Sequence, residues 1–373
     1  MSFSDTFDFL TNNTLSRAEL SSEGKIKNIH YGDILVKFGD ILDCSFTQIP
    51  YISKNAKIGN KVTFLKDGDV IIADTAEDET VGKATEIINV STPIVSGLHT
   101  MACRPKFCFE PRYLGYYINS SCYHNQLFPF MQGVKVTSVG KGNIANTHIR
   151  YPSKQEQQKI SSMLAIIDNR IEKQQALVES LKLYKRGVFS ALSKRYLVNT
   201  TEEKLRAITI CHDSRRIPMN SQERIHKKGL YPYYGANGIQ DFVNDYIFEG
   251  EFVLLAEDGG HFEDFVEYSI AQYAVGKIWV NNHAHILQAT KCDSKFLFYM
   301  LEHKDIRAFI NGTSRAKLNQ EDMLQITVPF PSIDIQHKIT KTLENIDTKI
   351  AYSQEVLNAS IIYKTALLQQ MFI

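Results

Sequence analysis

The stretch Trp279–His285 reads Trp-Val-Asn-Asn-His-Ala-His and holds two histidines two residues apart. On a strand, His283 and His285 point to the same face, a spacing that suits metal ligation if a third ligand joins them. His261 lies elsewhere, and no acid or cysteine near the pair in sequence offers an obvious third ligand. A structural polar strand and a DNA-facing polar surface fit the same residues, and the metal reading is the weakest of the three. No metal site is expected, and Asn282 and His283 are carried forward as candidate DNA contacts.

Basic and aromatic residues point the same way. Residues 212–228 carry Arg215, Arg216, Arg224, Lys227 and Lys228, and Tyr231, Tyr233 and Tyr234 follow. Arginine and lysine suit phosphates and guanine edges, and asparagine suits adenine edges. A solvated charged loop is the plainer alternative. Two further loops are small, polar and basic. Residues 133–143 (GVKVTSVGKGN) supply Lys135 and Lys141, and residues 312–320 (GTSRAKLNQ) supply Arg315 and Lys317. The candidate DNA-binding set is therefore Lys135, Lys141, Arg215, Arg216, Tyr233, Tyr234, Asn282, His283, Arg315 and Lys317.

The motifs of catalysis are missing. There is no Asn/Asp-Pro-Pro-aromatic motif to grip a flipped adenine, no P-loop, no GxSxG and no HExxH. No catalytic residue and no cofactor of its own are expected in this chain.

The elements that must position these residues occur twice. Pro152–Ile171, PSKQEQQKISSMLAIIDNRI, aligns without a gap on Pro331–Ile350, PSIDIQHKITKTLENIDTKI, at an offset of 179, with nine of 20 positions identical. The same offset pairs Gln175 with Gln354, Tyr184 with Tyr363, Lys185 with Lys364, and Gly133 with Gly312. At an offset of 183, Tyr113–Ile118 (YLGYYI) matches Phe296–Leu301 (FLFYML), and Ile71–Asp74 matches Leu254–Glu257. His30–Gly32 (HYG) resembles Tyr233–Gly235 (YYG). Each half reads as a β-rich domain, a short aromatic helix, a glycine-containing loop and a long helix.

The long helices are the firmest structural expectation. Ile160, Leu164, Ile167 and Ile171 step by 4, 3 and 4, as do Ile339, Leu343, Ile346 and Ile350. That spacing lays each set on one helical face. The two stripes are expected to form the interface of a helix pair that holds the domains apart. Two ordinary amphipathic helices, each packed on its own domain, are the alternative. Pro152 and Pro331 mark the helix entrances, and about 40 residues at ~1.5 Å each make a rod of roughly 60 Å. Strands are expected at Val62–Leu65, Val70–Ala73, Phe252–Ala256 and Lys277–Val280.

The resulting fold class is α+β: two β-rich domains joined by two long antiparallel helices in a coiled coil, with a pseudo-twofold internal repeat. The divisions fall at 1–151, 152–195, 196–330 and 331–373. Net charge is +1, so a DNA surface must come from local clustering. Only residues 152–195 are clearly basic, with 9 Lys/Arg against 4 Asp/Glu. The six cysteines form no CxxC pair and no run reaches 18 apolar residues, so reduced thiols, no membrane span and a cytoplasmic location are expected. The first residues, MSFSDTFDFL, do not read as a signal peptide.

The doubled pattern P-x-x-x-x-Q-x-K-I…L…I-D…I, each copy leading to Tyr-Lys (Tyr184-Lys185 and Tyr363-Lys364), resembles the specificity subunits of type I restriction-modification systems. The resemblance covers essentially the whole chain. It implies a non-catalytic subunit in which each domain reads one half of a split target on double-stranded DNA and the helices set the gap. It also implies docking of two methyltransferase subunits, which supply S-adenosylmethionine chemistry, and of restriction subunits using ATP and magnesium. The alternative is a stand-alone bipartite DNA-binding regulator, against which the near-neutral charge argues.

Overall fold

A computed structural model describes residues 1–133, 136–312 and 316–372. In chain order the first half holds α1 (Phe3–Thr6), β1 (Phe7–Phe9), β2 (Leu20–Ser21), β3 (Lys27–Ile29), α2 (Tyr31–Val36), β4 (Ile41–Asp43), β5 (Tyr51–Ile52), β6 (Val70–Ala73), β7 (Thr75–Ala76), β8 (Ala84–Ile88), β9 (Ile94–Ser96), β10 (Thr100–Pro105), α3 (Tyr113–Asn119), α4 (Ser121–His124), β11 (Thr137–Ser138), α5 (Lys141–Ala145) and the long helix α6 (Lys154–Tyr196). The second half holds β12 (Glu202–Lys204), α7 (Leu205–Ile208), β13 (Thr209–Cys211), α8 (Ser221–His226), β14 (Lys228–Gly235), β15 (Gly238–Val243), β16 (Phe248–Ala256), β17 (Ala271–Val280), β18 (Ala284–Ala289), α9 (Ser294–Leu301), β19 (Ile310–Asn311), β20 (Lys317–Leu318), α10 (Gln320–Met323), β21 (Thr327–Pro329) and the long helix α11 (Ile333–Met371).

Contacts divide the chain into two compact units. The first combines Met1–Ala176 with Gln354–Ile373, and the second is Leu177–Ser353. Each unit therefore owns one β-rich domain, the start of the helix that follows it and the end of the other helix.

The first unit has a five-stranded sheet in the order β1-β10-β6-β8-β4 and a four-stranded sheet in the order β2-β5-β3-β9. The second has one six-stranded sheet, β13-β18-β16-β17-β14-β15. The plans correspond. An edge strand pairs antiparallel with β10 or β18, which pairs with β6 or β16. The strand leading into His30–Gly32 or Tyr233–Gly235 then pairs in parallel with β9 or β17. The ten-residue β17 does in one piece what β8 and β9 do in two. Between β8 and β9, Asn89 sits at φ 57° and Pro93 lacks an N–H, so the strand breaks and the layer separates.

Three of the expected strands lie within β6, β16 and β17. Val62–Leu65 is not a strand. Its backbone bonds are scattered, Thr63 N–H to the Thr11 carbonyl and Leu65 N–H to the Ile94 carbonyl. No ladder forms because Val62 is drawn into a small separate core with Leu15, Ile52 and Val95.

The long helices run 43 and 39 residues. Ile160 and Leu164 are buried in the first unit's core, against which Ile167, Leu367, Leu368 and Met371 pack. Ile339 and Leu343 occupy the second core, with Val188, Phe189 and Leu192 packed against it. Each stripe thus serves the globular core as well as an antiparallel helix segment. Ile346 is buried, while Ile171 and Ile350 are half-buried.

Candidate nucleic-acid interface

The same three-residue clamp holds helices to domain in both units. In the first, the Tyr116 hydroxyl of α3 donates to Asp168 Oδ2 of α6 at 2.6 Å, and Lys364 Nζ of α11 reaches Asp168 Oδ1 at 2.5 Å. In the second, the Tyr299 hydroxyl of α9 donates to Asp347 Oδ2 at 2.7 Å, and Lys185 Nζ of α6 reaches Asp347 Oδ1 at 2.8 Å. A second acid completes each clamp, Asp40 at 2.6 Å from Lys364 and Glu302 at 2.8 Å from Lys185. Each lysine also lies over its tyrosine ring. Burial lowers the Lys364 pKa, but Asp40 and Asp168 outweigh it and hold the amine above its ordinary value. The lysine of each sequence repeat thus completes the clamp built on the other repeat's aspartate.

A buried glutamine braces each domain against its helix. Gln157 Nε2 donates to the Pro152 carbonyl at 3.0 Å and its Oε1 accepts from Glu110 N–H at 3.1 Å. Gln336 Nε2 donates to the Pro331 carbonyl at 2.9 Å and its Oε1 accepts from Asp293 N–H at 2.9 Å. These bonds explain the spacing of proline and glutamine in the repeat. Gly115 has a different role: a Cβ there would meet the Asp40 carbonyl at 2.3 Å, so only glycine lets α3 approach this closely. At the matching position the second unit has Phe298, packed against its core.

The candidate DNA residues separate into several groups. Arg216 is turned inward, with Nη1 2.6 Å from Glu257 and 2.9 Å from the Ala284 carbonyl. Tyr233 is buried, its hydroxyl accepting from Met219 N–H at 3.0 Å, and Tyr234 is half-buried. Lys317 pairs with Glu257 at 3.0 Å. Lys141 lies over the Phe9 ring at 4.6 Å, and Arg215 over Phe248 at 4.9 Å. Asn282 is exposed. Lys135 and Arg315 lie outside the described residues. The described residues flanking the two repeated loops do occupy matching places. Gly133 and Gly312 both take positive φ, 129° and 90°. The strand leaving the first loop, β11, pairs with β7, and Lys317 leaving the second bridges Asp258.

His283 and His285 do not share a third ligand. His283 Nδ1 meets Asp258 at 2.6 Å, whereas His285 Nδ1 meets Asp213 at 2.5 Å and its Nε2 faces the Leu318 carbonyl at 2.8 Å. His261 stacks on Tyr268. The fold brings up the acids that the local sequence lacks: ligand atoms of Asp213, Glu257 and His285 all lie within 4.8 Å of one another. Arg216 and Lys317 bring two positive charges onto the same carboxylates, so the cluster is already an ion-paired knot. Burial raises the Asp213 pKa, but the hydrogen bond and charge of His285 outweigh it and hold the carboxyl below its ordinary range.

Sequence reasoning missed one basic surface. Residues 53–66 carry Lys54, Lys57, Lys61 and Lys66 and no acid. Lys54, Lys57 and Lys61 are exposed on the loop after β5, and Lys25 is exposed beside them where β3 begins. The run was readable as a charge cluster, but it lies outside the repeated segments that drew attention. The clamp residues were missed for another reason. They appeared as repeat identities, and their crossing between repeats exists only in three dimensions.

The two units thus share one duplicated frame, a β-rich domain held to the long helices by the same clamp and the same brace. The sequence matches the family described as "Type I restriction modification DNA specificity domain" over residues 1–182 and 209–361, and the chain belongs to that family. It is 44% identical over 130 residues to a putative type I restriction enzyme specificity subunit of Haemophilus influenzae, a match covering 35% of this chain and 32% of that protein. It is 27% identical over 144 residues to a putative type I specificity subunit of Mycoplasma pneumoniae, 38% of whose length is covered. Those two matches thus span about a third of each relative. The MjaVIII specificity subunit of Methanocaldococcus jannaschii aligns over 88% of this chain and 84% of its own length at 21% identity. In fold, the chain is similar to the crystal structure of a type I restriction-modification S subunit from M. genitalium, with TM-score 0.59 and 14% identity over 100% of this chain and 95% of that one. Among the described residues no helix is long and apolar enough to cross a membrane.

Proposed function

We propose that this chain reads a bipartite sequence on double-stranded DNA, one half-site per unit, and docks methyltransferase subunits on its two long helices. The observation that carries the reading is the pair of clamps. Two domains of different sequence are held by the same Tyr–Asp–Lys arrangement, each completed by the other repeat's lysine. Such a frame keeps two independent reading heads in equivalent settings, as a split target requires. The chain supplies no reacting group of its own. S-adenosylmethionine chemistry belongs to the docked methyltransferase subunits, and ATP and magnesium to restriction subunits where these join. Phosphate contacts would set affinity and register, and base-edge contacts would set the target.

Co-expression with the methylating subunit of its own system, followed by long-read mapping of methylated adenine, tests this. A split motif with a fixed gap is the expected result. Sequence-selective, nanomolar DNA binding by the chain alone, without new methylation, would instead identify a stand-alone regulator.

A further inference from the structure

We propose that one exposed layer of each unit, the turn before β3 with the loop after β5 in the first and the segments flanking α8 with the start of β14 in the second, is the face that lies along the phosphates of duplex DNA. The inference rests on reading the chain as a DNA-specificity subunit. It moves the expected contact surface away from the two repeated loops.

In the first unit Lys25, Lys54, Lys57 and Lys61 are exposed on this layer. Among the described residues none of the four has a carboxylate at ion-pair distance; the acid nearest to them in sequence is Glu23, on the same turn as Lys25. They do not ride on a loose tail. Gly24 presses against the neighbouring strand, where a Cβ would lie 2.7 Å from the Ile52 carbonyl. Ile26, Ala56, Ile58 and Val62 anchor both segments on the small core of Leu15, Ile52 and Val95. The backbone beneath the lysines is therefore fixed, so that ordering them on a ligand costs only side-chain entropy.

In the second unit the layer holds Arg215, Lys227 and Lys228. Lys227 Nζ lies 5.4 Å from the centre of the Trp279 ring, which is itself anchored by Nε1–H donating to the Ile217 carbonyl at 2.7 Å. Arg215 lies over Phe248 and donates to the Ile247 carbonyl at 3.1 Å. Lys25 and Lys228 are equivalent, each five residues before its His30–Gly32 or Tyr233–Gly235 turn. The remaining cations are not equivalent. They reach the same layer from a loop after β5 in one unit and from segments beside β14 in the other. In a chain of net charge +1, the first unit gathers exposed lysines in a run without acids, whereas in the second the exposed cations are interspersed with Glu223, Asp245 and Glu249. Lysines spread over a layer suit phosphates, which need charge but not the forked geometry of base edges.

The test uses the full chain in complex with its methylating subunit. Binding to labelled duplexes, one carrying the mapped target and one lacking it, is measured across a salt series. For Lys54→Gln/Lys57→Gln/Lys61→Gln, each lost phosphate contact lowers the slope of log K against log salt by about 0.9, so a total fall of about 2–3 is expected. Both duplexes should weaken by the same factor, tenfold or more, with the methylated motif unchanged. Arg215→Gln/Lys227→Gln should act likewise, with a fall of about 2. All five side chains are exposed, so the thermal midpoint should hold. An unchanged slope on both duplexes overturns the proposal, and loss of partner assembly with the slope intact shows instead a protein-docking face. If the wild-type complex lacks target preference but the triple variant still lowers the slope, the layer stands and the specificity reading fails.

Discussion

The short helix that leads into each repeated loop begins differently in the two units. In the first, α3 opens on Arg112 at φ 76°, a left-handed conformation rare for arginine, and the buried Glu86 reaches over from β8 to its N-terminus. Glu86 accepts from Arg112 N–H at 2.7 Å and Gly115 N–H at 2.9 Å. In the second, α9 opens on Asp293 at φ −64°, whose own carboxylate accepts from Phe296 N–H at 2.6 Å. Both satisfy orphan N–H groups at a helix start. Yet the clamp residues match one for one, Tyr116, Asp168 and Lys364 against Tyr299, Asp347 and Lys185. Duplication has held constant what meets the helices and let the interior of each domain diverge.

Four measurements break or sharpen this comparison, from the largest expected effect to the smallest. Lys364→Met strands Asp40 and Asp168 without their cation, and Lys185→Met does the same to Glu302 and Asp347. Each should destabilise its own unit by about 3 kcal/mol in urea unfolding. A loss in one unit and none in the other would end the claim that the clamps are equivalent.

Removal of the two caps should give unequal losses. Glu86→Ala leaves buried donors bare and is expected to remove about 2–3 kcal/mol. Asp293→Ala removes a local cap and should remove about 1 kcal/mol. Equal losses in the same unfolding experiment would erase the distinction between a reaching acid and a local one.

The units should also answer pH in opposite directions. Burial pushes the Glu86 carboxyl up to about 7, against the backbone N–H groups of Gly115, Arg112 and Leu114. Folded, it holds a proton more tightly than the unfolded chain does, so the first unit's stability falls as pH rises from its ordinary 4.5 to about 7. Asp213 is held below its ordinary 3.8, so its contribution is present above that value and is lost as pH falls through the lowered pKa. Unfolding of the first unit at pH 5 and 7.5 should differ by roughly 2 kcal/mol, and Glu86→Gln should flatten the difference. Asp213→Asn should flatten only the acid limb of the second unit.

The smallest expected difference between the units belongs to the braces. Gln157→Ala and Gln336→Ala each remove two hydrogen bonds of the same kind. Each is expected to remove about 1–2 kcal/mol, equally in both units. Differential scanning calorimetry of the two variants would read any inequality.

The sequence made the long helices legible because Ile160, Leu164, Ile167 and Ile171, and again Ile339, Leu343, Ile346 and Ile350, step by 4, 3 and 4. Strands with continuous apolar runs, such as Val70–Ala73, were legible because turn residues bound them, here Asp67-Gly68. Val62–Leu65 misled because the residues on which it packs, Leu15 and Val95, lie some 30 to 50 positions away. The candidate site was less readable. Arg216 looks like a free cation beside Arg215, but Glu257 is fixed opposite it only by strand pairing. The histidine spacing was read as strand geometry, but β18 begins at Ala284, so His283 lies in the turn before it and only His285 is on the strand, and the acids they meet, Asp258 and Asp213, come from other elements.

The last turns of α11 belong to the first unit, where Lys364 bonds Asp40 across 324 positions and Phe372 enters the core beside Tyr113 and Tyr117. During synthesis the domain made first is therefore the one completed last. At about 5–20 residues per second, its N-terminal portion waits some tens of seconds for the segment that seals it, with aromatic surface open in the meantime. Truncation from the C-terminus should thus damage the N-terminal domain first. The nascent first domain is where chaperone dependence is expected to concentrate.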